Sequence, residues 1–342
     1  MRQRAQAAQQ WQARRQLGTP RTEMGATMFS LWKTKQNTSW RVGVMPADRE
    51  TALAIVRTGK SQRRPLLRHC AVHPAIEIKA EHVLAPLNRS REFARAGVSG
   101  VLSTQDYELV QVEAPEVNPN ELRAAVRWKL RDIINFPVND AVIDVFDIPR
   151  QARYVETRMV FVVAARGDAV ERVVRLIKPR VRGFDVMDIP EMCLRNLSAL
   201  LPQDEEGVAL LALGEGFAQL VLTCQGVLYL ARRIELGTGI AAGIESGPAA
   251  GIDAAALALE LQRSIDYYES HYDRPPIAEI VVTSGDERAQ HLRDALVAAT
   301  GMSVEVLDAT ELFEIADGVE ADLRWPGLIA LGAALRNQQM RA

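Results

Sequence analysis

Cysteine is scarce: only Cys70, Cys193 and Cys224 occur in 342 residues. Odd in number and far apart, they argue against a disulfide framework and fit a reducing compartment. Histidine is nearly as rare, with five copies. One pattern, His69-Cys70-x-x-His73, could suggest zinc. It lies in a strand-like stretch, where neighbours point to opposite faces, and no second ligand pair stands nearby, so a half-buried strand is its reading. No window approaches the roughly 20 apolar residues of a membrane span. The Arg- and Gln-rich N-terminus lacks the apolar core of a secretory signal. Neither sign of charge predominates: 41 Lys and Arg against 43 Asp and Glu give a net charge of −2, with no global footprint for nucleic acid. No Ser/His/Asp or Cys/His set has supporting motif context. Asp266, Glu269, His271 and Asp273 surround Tyr267, Tyr268 and Tyr272 on a helix-period stretch, which reads as a solvated helix face with aromatic anchors rather than a carboxylate–histidine pair for proton transfer.

What is present is an ordinary globular composition, 48% hydrophobic and 25% charged, on a chain long enough for about two domains. The most informative stretch is GVALLALGEGFAQLVLTCQGVLYLARRIELGTG, residues 207–239. Val208–Leu213 is an apolar run suited to a strand covered on both faces. Gly214-Glu215-Gly216 and Gln225-Gly226 are turns, and Phe217–Thr223 and Val227–Ile234 complete a three-strand meander. A helix-period segment, Asp253–Tyr272, and a further apolar strand, Ile280–Thr283, follow. Three strands, a helix and a strand, with a glycine turn after the first strand, is the layout of an actin-like phosphate-cradling half-domain.

The first half echoes this order. Trp40–Met45 is expected as its first strand, with Leu66–Ala71 and Ile76–Ile78 as the second and third. Asn118-Pro119-Asn120 is expected to cap a helix over Glu121–Ile134, stopped by Phe136-Pro137. Asp168–Lys178 and Glu191–Leu201 read as helices. The acidic stretch Gln203–Gly207 is the best internal boundary. Trp325–Leu335 reads as a final helix of small residues, with Pro326 in its first turn.

At 120–197 the text becomes specific. The segments NELRAAVRWKLRDIINFPVNDAVIDVFDIP, MVFVVAAR and FDVMDIPEMCLRNL, together with LALELQRSIDYYESHYDRPPIAEIVVTSGD and the opening MFSLWKTK, resemble the PilM family of type IV pilus assembly proteins. Within it they are most similar to MshI of the MSHA pilus. The resemblance covers roughly Met28–Asn337. It implies an α/β, actin-like (ribonuclease H-like, ASKHA) fold of two lobes, with a small α+β subdomain inserted in the first. The expected division is a flexible basic leader over 1–36, a first lobe over 37–203 with the insert at about 115–182, and a second lobe over 204–342. The family is cytoplasmic and peripheral to the inner membrane. It binds the cytoplasmic N-terminal tail of a bitopic PilN-like protein and connects to the assembly ATPase, and PilM itself can hold ATP.

An actin-like nucleotide site needs two glycine turns, so that backbone N–H groups can approach phosphates, and an aspartate after each leading strand to organise Mg²⁺. Where the family pattern is Gly-Ile-Asp-Ile-Gly-Ser, this chain has Gly43-Val44-Met45-Pro46-Ala47-Asp48. Where it has Asp-Ile-Gly, the chain has Ala212-Leu213-Gly214. Both carboxylates are lost. Gly214 and Gly216, then Gly237 and Gly239, then Ser284 and Gly285 are expected as a vestigial nucleotide site, with Asp286 adding bulk and negative charge. The expectation is therefore a non-enzymatic scaffold without cofactor or metal. Its alternatives are a nucleotide-binding actin-like ATPase of the same machinery, whose turns align differently, and a cytoplasmic platform component of type II secretion. Trp128, off the apolar stripe of its helix, and Phe136 are candidates for partner binding, packing of the small subdomain being the competing reading. Phe29, Leu31 and Trp32, beside Lys33 and Lys35, are candidates for membrane contact.

Overall fold

The structure, a computed structural model, describes residues 40–47, 49–59, 64–74, 80–84, 87, 92–93, 95–149, 158–236 and 252–336. Phe29, Leu31, Trp32, Asp48, Gly237, Gly239 and the strand expected at Ile76–Ile78 lie outside them. The described residues fall into two compact units, one within Thr27–Ile148, Thr157–Leu197 and Ala309–Ala342, the other within Ser198–Asp308.

The first unit is built on a meander. Strands β1 (Trp40–Pro46), β2 (Glu50–Arg57) and β3 (Leu66–Pro74) are antiparallel. Strand β4 (Gly97–Val101) joins β1 in parallel. Next to it lies β8 (Val186–Asp188), and β14 (Glu314–Ile315) pairs with β3. The second strand is thus TALAIV, which the sequence reading passed over. Its centre, Thr51–Val56, is buried throughout, so it carries no apolar–polar alternation, and its alanines have little strand propensity.

Pairing register explains what covers this sheet. Ser99 of β4 stands beside Gly43 of β1, Gly43 beside Ala54 of β2, and Ala54 beside Cys70 of β3. Partners in register share a face, so four small residues form a furrow across four strands. Helix α7 (Trp325–Ala334) packs on this sheet, buried from Pro326 to Ala334. A Cβ on Gly43 would overlap the carbonyl oxygen of Ala330, and one on Gly332 the carbonyl of Cys193 in helix α4 (Pro190–Ser198). Asn196 Nδ2 donates to Gly332 O at 2.9 Å. Arg336 and Asp188, both buried, pair at 3.3 Å and fasten the end of α7 to β8. The described residues 309–336 thus belong to the first unit, where the expected division put them in a second lobe of 204–342: the small-residue helix needs the furrow at Gly43.

Inserted after β4 is a three-stranded antiparallel sheet, β5 (Tyr107–Glu113), β6 (Ala141–Asp147) and β7 (Met159–Arg166), with β7 central. Helices α2 (Leu122–Leu130) and α3 (Gly167–Ile177) accompany it. Val126 and Leu130 join Val112, Val145, Val160 and Val162 in one core. The insert therefore begins at Tyr107, earlier than the expected 115, because β5 pairs only with β7. Helix α2 is also shorter than the expected Glu121–Ile134. Asn118 does not cap it; its amide reaches Glu121 Oε2 at 3.5 Å. Past Leu130 the chain turns back, and Arg127 donates to the carbonyls of Val138 and Ala141.

The second unit repeats the plan. Strands β9 (Val208–Leu213), β10 (Phe217–Cys224) and β11 (Val227–Glu235) form a meander. Strand β12 (Glu279–Thr283) is parallel to β9, and β13 (Ser303–Val306) is parallel to β12. The order β11-β10-β9-β12-β13 reproduces β3-β2-β1-β4-β8. Helix α5 (Ala254–His271) starts where Asp253 accepts the Ala256 N–H at 2.9 Å. From α5 and the residue after it, Tyr268 and Tyr272 bury their rings edge-on to Tyr229, at 5.3 and 4.9 Å. Buried Asp204 accepts from Thr223 Oγ1 at 2.6 Å and from the Gly226 N–H, fixing the second turn of the meander.

Two tests follow. Gly43→Ala should destabilise the first unit by about 1–3 kcal/mol, because rigid helix backbone cannot yield to the added methyl; denaturant unfolding will read it, and an unchanged midpoint would remove the furrow's role. All three cysteines are free and buried. Burial, then the charge of Asp322, pushes the Cys70 thiol up to about 12, and burial raises Cys193 and Cys224 as well. A disulfide-exchange reagent at mildly alkaline pH should leave all of them unmodified until denaturant unfolds the chain.

Candidate functional site

The first turn that would cradle phosphate joins β1 to β2. Ala47 N–H donates to Glu50 O at 2.8 Å, closing a tight hairpin. Met45 holds the position of the metal-organising aspartate. It is 3% exposed and shares the face of Gly43, so it belongs to the core beneath α7. Pro46 offers no N–H, and its carbonyl accepts from Ser103 Oγ at 3.4 Å.

The second turn joins β9 to β10. Ala212, in the other aspartate position, is fully buried. Gly214 N–H donates to Phe217 O at 2.8 Å, and Gly216 adopts φ +76°. Any side chain on Gly214 would strike the Phe217 ring. Arg233 stacks its guanidinium 3.8 Å from that ring's centroid. Arg288, at the start of helix α6 (Arg288–Thr300), donates to Gly214 O at 2.6 Å and grips Asp286 through Nε at 2.8 and 2.9 Å. Burial alone would raise the Asp286 carboxyl; the hydrogen bonds and charge of Arg288 hold it below its usual range. Ser284 Oγ receives the Ala289 N–H at 3.3 Å and donates to Asp286 O at 2.6 Å. Ser284 and Asp286 thus tie down the first turn of α6, and Gly285 sits between them. Arg288 engages the Gly214 carbonyl and the Asp286 carboxylate, and the Gly214 N–H is taken by the Phe217 carbonyl. Among the described residues, no group of three His, Cys, Asp or Glu is placed to hold a metal ion.

A second feature lies within the first unit: a cavity of about 490 Å³ beside β8. Val163 and Ala165 of β7, Val142 of β6, Val170 and Val174 of α3 and the segment 181–189 wall it. Helix α3 reaches the lobe sheet at Gly100, where a Cβ would meet Ile177, Phe184 and Val173. The cavity's two carboxylates already have arginines: Asp185 pairs with Arg41 at 3.4 Å and Asp188 with Arg336. Burial holds the Asp185 carboxyl above its usual range even against Arg41. Strand β8 is an edge of its sheet, so an apolar trough runs beside open strand backbone. Sequence reasoning gave 181–189 no site role, although FDVMDIP was part of the resembling text; its signal was apolar residues in an otherwise loop-like run.

Trp128 and Phe136 are not among the residues lining this cavity. Trp128 is 70% exposed, with the Arg131 guanidinium 4.7 Å from its ring centroid. Phe136 is half-buried and packs against the insert's own core. The structure does not bring the two together as one surface with the cavity.

No family model and no curated protein matches the chain. Solved structures do. A chain of the PilM–PilN type IV pilus biogenesis complex is 20% identical, with 86% of this chain and 97% of that chain covered at a TM-score of 0.61. The cytoplasmic domain of EpsL, an inner membrane component of the type II secretion system of Vibrio cholerae, is 12% identical over 88% of this chain and 98% of that chain, at a TM-score of 0.47. A Bacteroides thetaiotaomicron protein of actin-like ATPase fold and unknown function is 8% identical over 82% and 98%, at 0.45. With its strand order written twice and its insert after β4, the chain has the actin-like α/β fold.

Proposed function

We propose that the protein is a non-catalytic scaffold of an inner-membrane pilus assembly platform, of the PilM kind and the MSHA type. In this reading it holds the cytoplasmic tail of a bitopic PilN-like protein in the cavity beside β8. The observation that carries the proposal is the contrast between its two concave features. At the turns that would cradle nucleotide, Met45 and Ala212 stand in the core, and Phe217 and Arg288 pack on Gly214. The cavity between β7, α3 and β8 is apolar and large enough to take several side chains of an extended segment. An added strand could use the free edge of β8 for backbone hydrogen bonds while apolar side chains fill the trough. The PilM–PilN resemblance supports the choice of partner, and the segments quoted above support the MSHA assignment. Among the described residues no helix is long and apolar enough to cross a membrane, so in this reading membrane association is peripheral, through the partner and through Phe29, Leu31 and Trp32.

The test is calorimetric titration with a peptide of the partner's cytoplasmic tail. Saturable micromolar binding is expected. Val174→Arg, which places a charge on a half-buried wall position, should weaken it by about tenfold or more, while Trp128→Ala should leave it unchanged. Equal binding by Val174→Arg in a folded protein would move the docking site elsewhere. Equilibrium dialysis with Mg-ATP should show no saturable binding. A micromolar site would instead support the ATPase reading, since the lost carboxylates would then have substitutes.

A further inference from the structure

The first unit has another cavity, of about 380 Å³, on the sheet face opposite α7. Its lining is Leu53 and Ile55 of β2, Arg68, His69 and His73 of β3, His82 and Val83 of helix α1 (Ala80–Val83), and Phe93. His69 and His73 sit on one face of β3 four residues apart, their rings 16° from parallel with centroids 6.3 Å apart. Arg68 would ordinarily point to the other face. Here Ile55 pairs with His69 and Val56 with Leu67, so Arg68 is the extra residue of a β-bulge. A bulge re-aims side chains, and this one sets Arg68 beside His69 at the same cavity.

Elsewhere in this unit some arginines, such as Arg57 and Arg131, lie over aromatic rings. Several have carboxylates, among them Arg41 with Asp185, Arg123 with Asp144, Arg172 with Asp106, Arg324 with Asp322 and Arg336 with Asp188. Arg68, His69, His73 and His82 have none among the described residues, and no acid lines the cavity among them. We propose that this pocket binds a small soluble amphiphile, an oxyanion such as a carboxylate or phosphate monoester on a short apolar body. The oxyanion takes the guanidinium and imidazole donors, for which Arg has the matching fork geometry. The apolar body lies on Leu53, Ile55, Val83 and Phe93. The charged and titratable groups facing His69 agree with this. Burial, then His73, then Arg68 hold its imidazole below its ordinary pKa, while β2 contributes only apolar side chains to the lining. A bound anion opposes the repulsion and draws a proton onto the cluster.

Isothermal titration with octanoate and octyl phosphate, below their micelle-forming concentrations, tests the proposal, with octanol and inorganic phosphate as the two halves of the ligand alone. At least one amphiphilic anion should bind saturably, with both controls much weaker. The double variant Arg68→Gln/His73→Gln should lose about tenfold or more in affinity with its thermal unfolding unchanged. An NMR titration should show the His69 resonance moving to higher pKa on binding. Absence of saturable binding, equal binding of octanol, or an unaltered affinity in the folded double variant would overturn the proposal. So would binding to anionic vesicles without binding of the monomeric amphiphile. None of these outcomes depends on tail-peptide binding beside β8.

Discussion

The fold of the first unit rests on how closely a helix backbone can approach a sheet. Ser99, Gly43, Ala54 and Cys70 line up across four strands, and α7 lies on that sheet with no residue from Pro326 to Ala334 exposed. Close approach lets dispersion contacts form along the whole helix, and the same helix carries Arg336 to Asp188. That ion pair is buried, and pairing is what makes burial of either charge tolerable. It also sets β8, whose outer edge borders the apolar cavity. The furrow, the helix and the trough are consecutive links: a side chain on Gly43 would lift the helix and with it the anchor of β8.

The duplicated strand order shows what has been kept and what has been given up. After the leading strand of each sheet comes a tight hairpin, the place where an actin-like protein would present backbone N–H groups and an aspartate. In this chain Met45 and Ala212 are core residues. Around the second hairpin the Phe217 ring packs on Gly214, and Arg288 donates to the Gly214 carbonyl. An arginine already bonded to Asp286 and to the turn is a fixed internal partner, and displacing it would cost those hydrogen bonds. Glycine at 214 has a packing reason of its own, because a Cβ there would strike the Phe217 ring.

Much of this was legible in the text of the chain. The second meander is punctuated by glycine turns and β9 is an unbroken apolar run, so strand boundaries there follow from residue type alone. Helix α5 announces itself by Asp253 and by Leu257, Leu261, Ile265 and Tyr268 on one face. The failures are equally physical. Strand β2 is buried on both faces and alanine-rich, so it shows no period. The short α2 ends for a tertiary reason, the hold of Arg127 on carbonyls beyond the turn. That Trp325–Ala334 packs against β1 is a long-range fact with no local signature, although the glycine and alanine content of α7 signals close packing against something. Trp128 is exposed, as its place off the apolar stripe implies, whereas Phe136 packs against the insert's core. The histidines of β3 read as half-buried strand, and so they are; the bulge that turns Arg68 toward them is invisible without the register.

The placement of the cavities follows from coverage. Helix α7 has ten residues and a length of about 15 Å, close to the width of four strands at roughly 4.8 Å spacing, so one face of the first sheet is sealed. The opposite face is shared. Near β4 it receives α3 at Gly100; near β3 it receives α1, a single turn of four residues about 6 Å long. Between them Leu87 and Phe93 lie over Val42, the Phe93 ring edge-on to Trp40 at 5.2 Å, and a cavity remains toward each end. At the β8 end the carboxylates are matched by arginines, which leaves an apolar trough suited to side chains of a partner segment. At the β3 end the lining carries the exposed Arg68 and His82 and the half-buried His69 and His73, with no acid among the described residues. The two cavities thus differ in their walls: mainly apolar side chains with Lys178, Arg182 and arginine-paired carboxylates beside β8, a guanidinium and three imidazoles over apolar residues at β3.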